Sequence, residues 1–195
     1  MTTPALHLDF PRHWRAQILS IRPLILPTRN FVYPAQADEV ERGALEVLIT
    51  PERKERSPSA KDSFLATCAL GFADPTVPSG VWSTPKPEEI CAVAGGYAYI
   101  VDTTAPERFT FLEMCPVLSV HPAVQAGLLL FAGHHGILAW SACGLAWQSP
   151  KLSDEGLSIT AIEGTQLHGL GWNMLTDRET PFVLDLISGQ VFHAG

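Results

Sequence analysis

The sequence predicts an all-β protein made of antiparallel, blade-like meander sheets with little helix. Short runs with apolar residues at alternating or consecutive positions, such as "FLATCALGF" and "RFTFLE", recur along nearly the whole chain. Sixteen prolines and fifteen glycines punctuate these runs, as expected for many short strands joined by turns. Helical periodicity is scarce. The architecture predicted from these observations is an incomplete propeller or a sandwich.

Residues 1–79 form an N-terminal β segment in this scheme. Its strand candidates are "QILSIRPLIL", "ALEVLIT" and "FLATCALGF". "ADEVERGALEVL", residues 37–48, is the best helical pattern, but Gly43 interrupts it, so we expect at most a short helical turn. Residues 51–63 include seven charged residues in thirteen and predict a solvated loop.

Residues 80–195 contain a weak internal repeat. "YAYIVDTTAPERFTF", "GILAWSACGLAW" and "PFVLDLISGQVF" each read as an apolar strand, a tight turn and a second apolar strand. Asp102, Trp140 and Asp185 fall at corresponding points, and we expect both aspartates to accept hydrogen bonds from backbone amides of the following turn. The repeat of roughly 40–45 residues is typical of a four-stranded propeller blade.

The segment "FVLDLISGQVF" resembles the strand–turn–strand of quinoprotein-type β-propeller repeats, and "GILAWSACGLAW" is a looser version of it. The resemblance covers residues 80–195 and implies blade-like sheets. It implies no cofactor, because the ligand residues of the quinoprotein enzymes have no match here. Three such units are fewer than a closed ring needs, so either residues 1–79 supply a further sheet or the units stack as an open blade set or a sandwich, in both cases within a single domain, residues 1–195.

Composition and charge exclude several classes of function. The chain is 46% hydrophobic and 17% charged, which is a globular composition. Residues 1–61 carry nine basic and seven acidic residues, whereas residues 62–195 carry four basic and thirteen acidic residues. An acidic body argues against a nucleic-acid partner. No apolar run is long enough for a spanning helix and no secretory signal is seen, so we predict no membrane association and a cytoplasmic protein.

The cysteines predict thiols rather than a metal site. Cys68, Cys91, Cys115 and Cys143 lie in apolar surroundings without any CxxC pair. We therefore expect four reduced thiols, mostly buried in strands, while a zinc site assembled from scattered positions stays an alternative.

A histidine doublet, His134–His135, is flanked by Gly133 and Gly136. The flanking runs "LLLF" and "ILAW" predict antiparallel neighbours with the doublet in the connecting turn, where histidine would tolerate positive φ. A ligand-facing loop and a metal site are the alternatives. Adjacent residues of a strand point to opposite faces and neither an HxH nor an HExxH pattern is present, so no metal is predicted.

The next turn is predicted at Cys143–Gly144, a dipeptide suited to a two-residue hairpin loop. That register places Trp140 directly opposite Trp147 on one face of the sheet.

Functional motifs are missing otherwise. No G-x-S-x-G, Walker A or G-x-G-x-x-G pattern occurs. We therefore predict a non-enzymatic binding or interaction module whose partner is a protein or a small molecule, with His134, His135, Asp177 and Glu179 as candidate ligand-binding residues. The alternative is a hydrolase-like enzyme with a dispersed site at the doublet and the Asp177–Glu179 loop. Exposed edge strands could also pair two copies into a homo-oligomer.

Overall fold

The computed structural model describes residues 3–35, 42–52, 62–74 and 76–192. Within these ranges the fold is all-β, with four mainly antiparallel sheets, no α-helix and no helix that could cross a membrane. The chain forms two compact units, Met1–Pro116 and Val117–Gly195. Most of the predicted charged loop, residues 53–61, lies outside the described residues.

The first sheet of unit 1 has the strand order β2-β4-β5-β3. Its strands are β2 (Trp14–Leu19), β3 (Asn30–Tyr33), β4 (Ala44–Pro51) and β5 (Phe64–Ala69). Strand β4 begins inside the stretch in which a helical turn was expected, because "ALEVLIT" alternates as a strand does; residues 37–41 of that stretch lie outside the described part of the chain. Residues 14–69 thus supply the further sheet that the sequence predicts.

The second sheet of unit 1 has the order β1-β6-β7-β8-β9. Its strands are β1 (Ala5–His7), β6 (Gly80–Ser83), β7 (Glu89–Ala94), β8 (Tyr97–Asp102) and β9 (Phe109–Phe111). Strands β6 to β9 form a sequential antiparallel meander, and β1 adds to β6 in parallel. His7 stacks on Trp82 with ring centroids 4.6 Å apart, which fixes β1 against this edge.

The core of unit 1 lies between these two sheets. Alternate residues of β4 and β5, such as Val47 and Phe64, pack against alternate residues of β7 and β8, such as Ile90 and Tyr99. Trp14 is 1% exposed, and its indole Nε1 donates to the carbonyl of Glu89 at 2.9 Å. The Trp14 side chain therefore joins β2 to β7 both by its apolar burial and by its hydrogen bond.

Unit 2 contains two four-stranded antiparallel meanders. The first comprises β10 (Ser119–Ala123), β11 (Leu128–Ala132), β12 (Ile137–Ser141) and β13 (Gly144–Gln148), with a 3-10 helix at Val124–Ala126. The second comprises β14 (Leu157–Glu163), β15 (Gln166–Asn173), β16 (Arg178–Asp185) and β17 (Val191–Phe192). Their shared core includes Leu130 and Ala139 from the first meander and Leu167 and Leu184 from the second.

Each of the three meanders ends its third strand on a side chain that caps the following turn. Asp102 accepts from the backbone nitrogens of Thr104 and Ala105, and Asp185 accepts from those of Ile187 and Ser188, as predicted. The corresponding residue of the middle meander is Ser141, whose Oγ accepts from the nitrogen of Cys143 at 3.1 Å. The prediction that Trp140 corresponds to Asp102 and Asp185 is therefore wrong by one position.

The predicted Trp140–Trp147 pair is wrong for the same reason. Ser141 pairs with Gly144, so the two-residue loop is Ala142–Cys143, and a bulge then places Trp147 opposite Ala139. Trp140 follows Ala139 in the strand, so the two indoles lie on opposite faces. The Ser141 hydroxyl, which also donates to the Gly144 carbonyl at 3.0 Å, fixes this register. Trp147 instead donates from Nε1 to the carbonyl of Leu186 at 2.8 Å.

The thiols divide evenly between interior and surface. Cys68 and Cys91 are buried in strands, while Cys115 and Cys143 are exposed, and all four are free. The expectation of mostly buried thiols thus applies to two of them. Burial raises the pKa of both interior thiols, which keeps them protonated and unreactive.

The Asp102 cap predicts an acid-sensitive contribution to stability. Burial raises the pKa of Asp102, but hydrogen bonds from Thr104 and Ala105 and the Arg108 guanidinium at 2.8 Å lower it overall. Since the folded pKa lies below the unfolded one, the contribution is present above about pH 4 and is lost as the pH falls through the lowered folded value. We expect the difference in urea midpoint between wild type and Asp102→Asn to shrink on going from pH 6 to pH 3. Parallel midpoint curves would contradict this assignment.

Candidate functional site

The histidine doublet occupies the four-residue connection between β11 and β12, as the sequence predicts. Ala132 pairs with Ile137, and the nitrogen of Gly133 donates to the carbonyl of Gly136 at 3.0 Å. The conformational reason given for the doublet is wrong, because among the described residues the one non-glycine residue with positive φ is Asp177. His134 is half-buried and His135 is exposed.

His135 binds the segment that follows β13. Its carbonyl accepts from the nitrogen of Leu152 at 2.7 Å, and its ring Nδ1 lies 3.2 Å from the carbonyl of Ser153. A carbonyl oxygen only accepts, so this contact places a proton on Nδ1.

Ser153 is a structural residue. It is buried, its hydroxyl donates to the carbonyl of Gly156, and its Oγ accepts from the nitrogen of Trp172 at 2.9 Å. This places the segment directly against β15, where a Cβ on Gly171 would come within 2.2 Å of the Leu152 carbonyl oxygen. The proximity of a serine to His135 therefore does not provide a nucleophile, because the hydroxyl proton is already donated to backbone.

Asp154 connects this segment to the hairpin between β15 and β16. Its Oδ1 accepts from Lys151 Nζ at 2.6 Å, and its Oδ2 accepts from the nitrogen of Met174 at 2.8 Å. These two bonds, with a smaller contribution from His135, lower the pKa of Asp154. No local pattern in the sequence indicates this role, since the carboxylate and its partner amide are twenty residues apart in the chain.

The hairpin tip itself is held by local bonds. Asn173 Oδ1 accepts from the nitrogens of Leu175 and Thr176 at 3.0 and 3.1 Å. Asp177 adopts a left-handed φ of 54°, which closes the turn before β16. Met174 and Leu175 are 72% and 93% exposed, so the tip presents two large apolar side chains to solvent.

We define the tip surface as His135, Lys151, Asp154, Met174 and Leu175. Of the residues predicted from sequence, the structure brings His135 into it, with His134 alongside at a ring-centroid distance of 6.2 Å. Asp177 lies at the end of the tip, and Glu179 lies in β16 opposite Trp172. In the part of the chain that the structure describes, neither carboxylate bonds or pairs with a histidine.

Two further features bear on the chemistry of unit 2. A cavity of about 220 Å³ lies between residues 122–126, Ile162, Gly164 and Leu186, and no ionisable side chain lines it. No group of three or more His, Cys, Asp or Glu side chains in the described ranges is placed to hold a metal ion. The polar groups of the tip surface are thus arranged on open protein surface, outside this cavity.

Comparison with known proteins finds structural likeness without a family match. No protein-family model and no curated protein matches the chain. A solved structure, that of apo AztD from Citrobacter koseri, superposes with a TM-score of 0.43 at 13% sequence identity. The match covers 77% of this chain and 42% of that one, so this chain spans less than half the length of the protein it resembles.

Proposed function

We propose that this chain is a non-enzymatic binding module and that the tip surface is its binding surface. The observation that carries the proposal is the exposure of Met174 and Leu175 on a tip held by side-chain to backbone hydrogen bonds. Exposed large apolar side chains that lie together, with polar groups around them, are typical of interaction sites.

Pre-organisation strengthens this interpretation. Three backbone amides of the tip, those of Met174, Leu175 and Thr176, already donate to Asp154 or Asn173 in the free protein. A partner that covers the two apolar side chains therefore orders little additional backbone, which reduces the entropic cost of binding. Lys151, Asp154 and His135 lie at the rim, where charged groups orient a partner.

The three sequential meanders support the further proposal that residues 80–195 are propeller-type blades. We also place the protein in the cytoplasm, which its four free cysteines support. The partner is a protein or a small molecule with an apolar surface. The hydrolase alternative has less support, because Ser153, whose carbonyl contacts the His135 ring, donates its hydroxyl proton to a backbone carbonyl.

The test compares two exposed apolar positions of unit 2. A photo-reactive benzoylphenylalanine replaces Leu175 in one protein and Ile187, which is 77% exposed, in the control. We expect a discrete covalent adduct with the binding partner from position 175 and none from position 187. Once the adduct is identified, the purified partner should bind Leu175→Ser about tenfold or more weakly than wild type, and Ile187→Ser with unchanged affinity.

Two results would overturn the proposal. The first is equal labelling from both positions, or no adduct from position 175. The second is a hydrolytic activity of the purified protein that is lost in a His134→Ala/His135→Ala variant, which would instead favour the enzyme.

A further inference from the structure

A ten-residue connection in unit 1, residues 20–29, presents an unusual apolar surface. It joins β2 to β3, the two edge strands of the sheet β2-β4-β5-β3, and therefore crosses from one edge of that sheet to the other. Ile21 and Ile25 are 79% and 89% exposed, Leu24 is fully exposed, and Leu26 is partly exposed. We refer to residues 20–29 as the strap.

Arg22, which lies among these apolar residues, contacts a buried carboxylate, although its own side chain stays 40% exposed. Arg22 Nε lies 3.8 Å from Oε1 of Glu46, which is 6% exposed and whose Oε2 accepts from Thr67 at 2.7 Å. Glu46 and Thr67 lie on the face of the sheet opposite to the core residues Val47 and Ala66. The Arg22 contact thus holds the strap over this outer face.

The far end of the strap is fixed as well. Arg29 donates to the carbonyl of Asp62 at 2.8 Å, and its guanidinium lies over the rings of Phe31 and Phe64. Asn30 donates to the carbonyl of Pro27 at 3.1 Å. An anchored strap that leaves four neighbouring aliphatic side chains exposed forms the kind of apolar patch that marks an interaction site.

The neighbouring strand β2 has one edge without a partner strand. Among the described strands it pairs with β4 alone, so its other edge is open along Trp14–Leu19. An open strand edge is a template for another strand. Charges here are already paired, with Arg15 bound to Glu52 at 2.6 Å and Arg22 near Glu46, so two copies of this face would meet with little repulsion.

We propose that the strap and the open edge of β2 together form a homodimer interface, occupied by the same surface of a second copy of this chain. Antiparallel pairing of two β2 edges is compatible with a twofold axis, which brings the same patch of both copies together. The exposed strap side chains present on the order of 400 Å² of apolar area. Pairing of the six-residue strand brings the total toward the roughly 800 Å² per partner of a stable interface.

Sedimentation velocity of the full chain tests this proposal between about 1 and about 100 µM. We expect a species of twice the 21.2 kDa chain mass that dissociates on dilution. Leu24→Ser/Ile25→Ser should raise the dimer dissociation constant by at least about tenfold. Met174→Ser/Leu175→Ser, which alters exposed apolar residues of the other unit, should leave it unchanged, so failure here and failure of the proposed function are separable.

Far-ultraviolet circular dichroism serves as the control for folding. The spectra of both variants should match that of the wild type, since the replaced side chains are exposed. Amide hydrogen exchange supplies a second measurement: the amides of β2 should be better protected at the higher concentration. A wild-type protein that stays monomeric at 100 µM would overturn the proposal, even if the strap were found to bind another protein or lipid vesicles. A dimer that survives Leu24→Ser/Ile25→Ser unchanged would overturn it too.

Discussion

Replacing Gly171 by alanine is expected to lower the free energy of unfolding by about 3 kcal/mol, at the upper end of the range for overpacking. The added Cβ would lie 2.2 Å from the carbonyl oxygen and 3.1 Å from the carbonyl carbon of Leu152. Backbone cannot rotate away as a side chain can. Relief would require the segment to leave β15, which would break the bonds of Ser153 to Trp172 and of Leu152 to His135. Urea unfolding monitored by tryptophan fluorescence measures the change.

Gly164→Ala is the matched control. Gly164 has a φ of 58°, and no atom lies within 4 Å of a Cβ built there, so alanine brings backbone strain of about 1 kcal/mol and no collision. If both variants lost the same stability, the steric explanation for Gly171 would be wrong.

Trp14→Ala is expected to cost about 3–5 kcal/mol, the range for removing a buried large aromatic side chain. The indole is 1% exposed and packs between the two sheets of unit 1, and its loss also leaves the Glu89 carbonyl without the Nε1 donor. The same urea experiment gives the measurement.

Trp14→Phe separates packing from hydrogen bonding. Phenylalanine keeps most of the apolar volume and removes only the donor and part of the ring, so we expect a loss of about 1–2 kcal/mol. A loss as large as that of Trp14→Ala would show that the hydrogen bond, and not the packing, is the dominant contribution of Trp14.

The strands could be predicted because their signal is local. Alternation in "ALEVLIT" follows from the face of β4 that meets the core of unit 1, and the consecutive apolar residues of "FLATCALGF" fit β5, which is buried along its whole length. The turn positions of Asp102 and Asp185 were predictable for the same reason, since a short polar side chain and the amides that it binds lie within three residues.

The errors and omissions come from contacts that the sequence does not encode locally. The Ser141 hydroxyl stabilises a loop that lies one residue earlier than predicted, and in that register Trp140 and Trp147 lie on opposite faces of the sheet. The tip surface depends on the hydrogen bond from the Met174 amide to the Asp154 carboxylate. These residues are twenty positions apart, so no local sequence pattern predicts the surface. The contact by which Arg22 anchors the strap is visible only once Glu46 is known to be buried beside it.

The parallel pairing of β1 with β6 has a consequence for the order in which the chain acquires structure. In the three meanders each strand pairs with the next one in sequence, so their contacts close short loops, and such contacts form fast. Ala5 pairs with Gly80, however, so its partner is synthesised long after it. During synthesis β1 must therefore remain unpaired until β6 has also left the ribosome, whereas each later strand of this sheet finds its partner in the strand just before it.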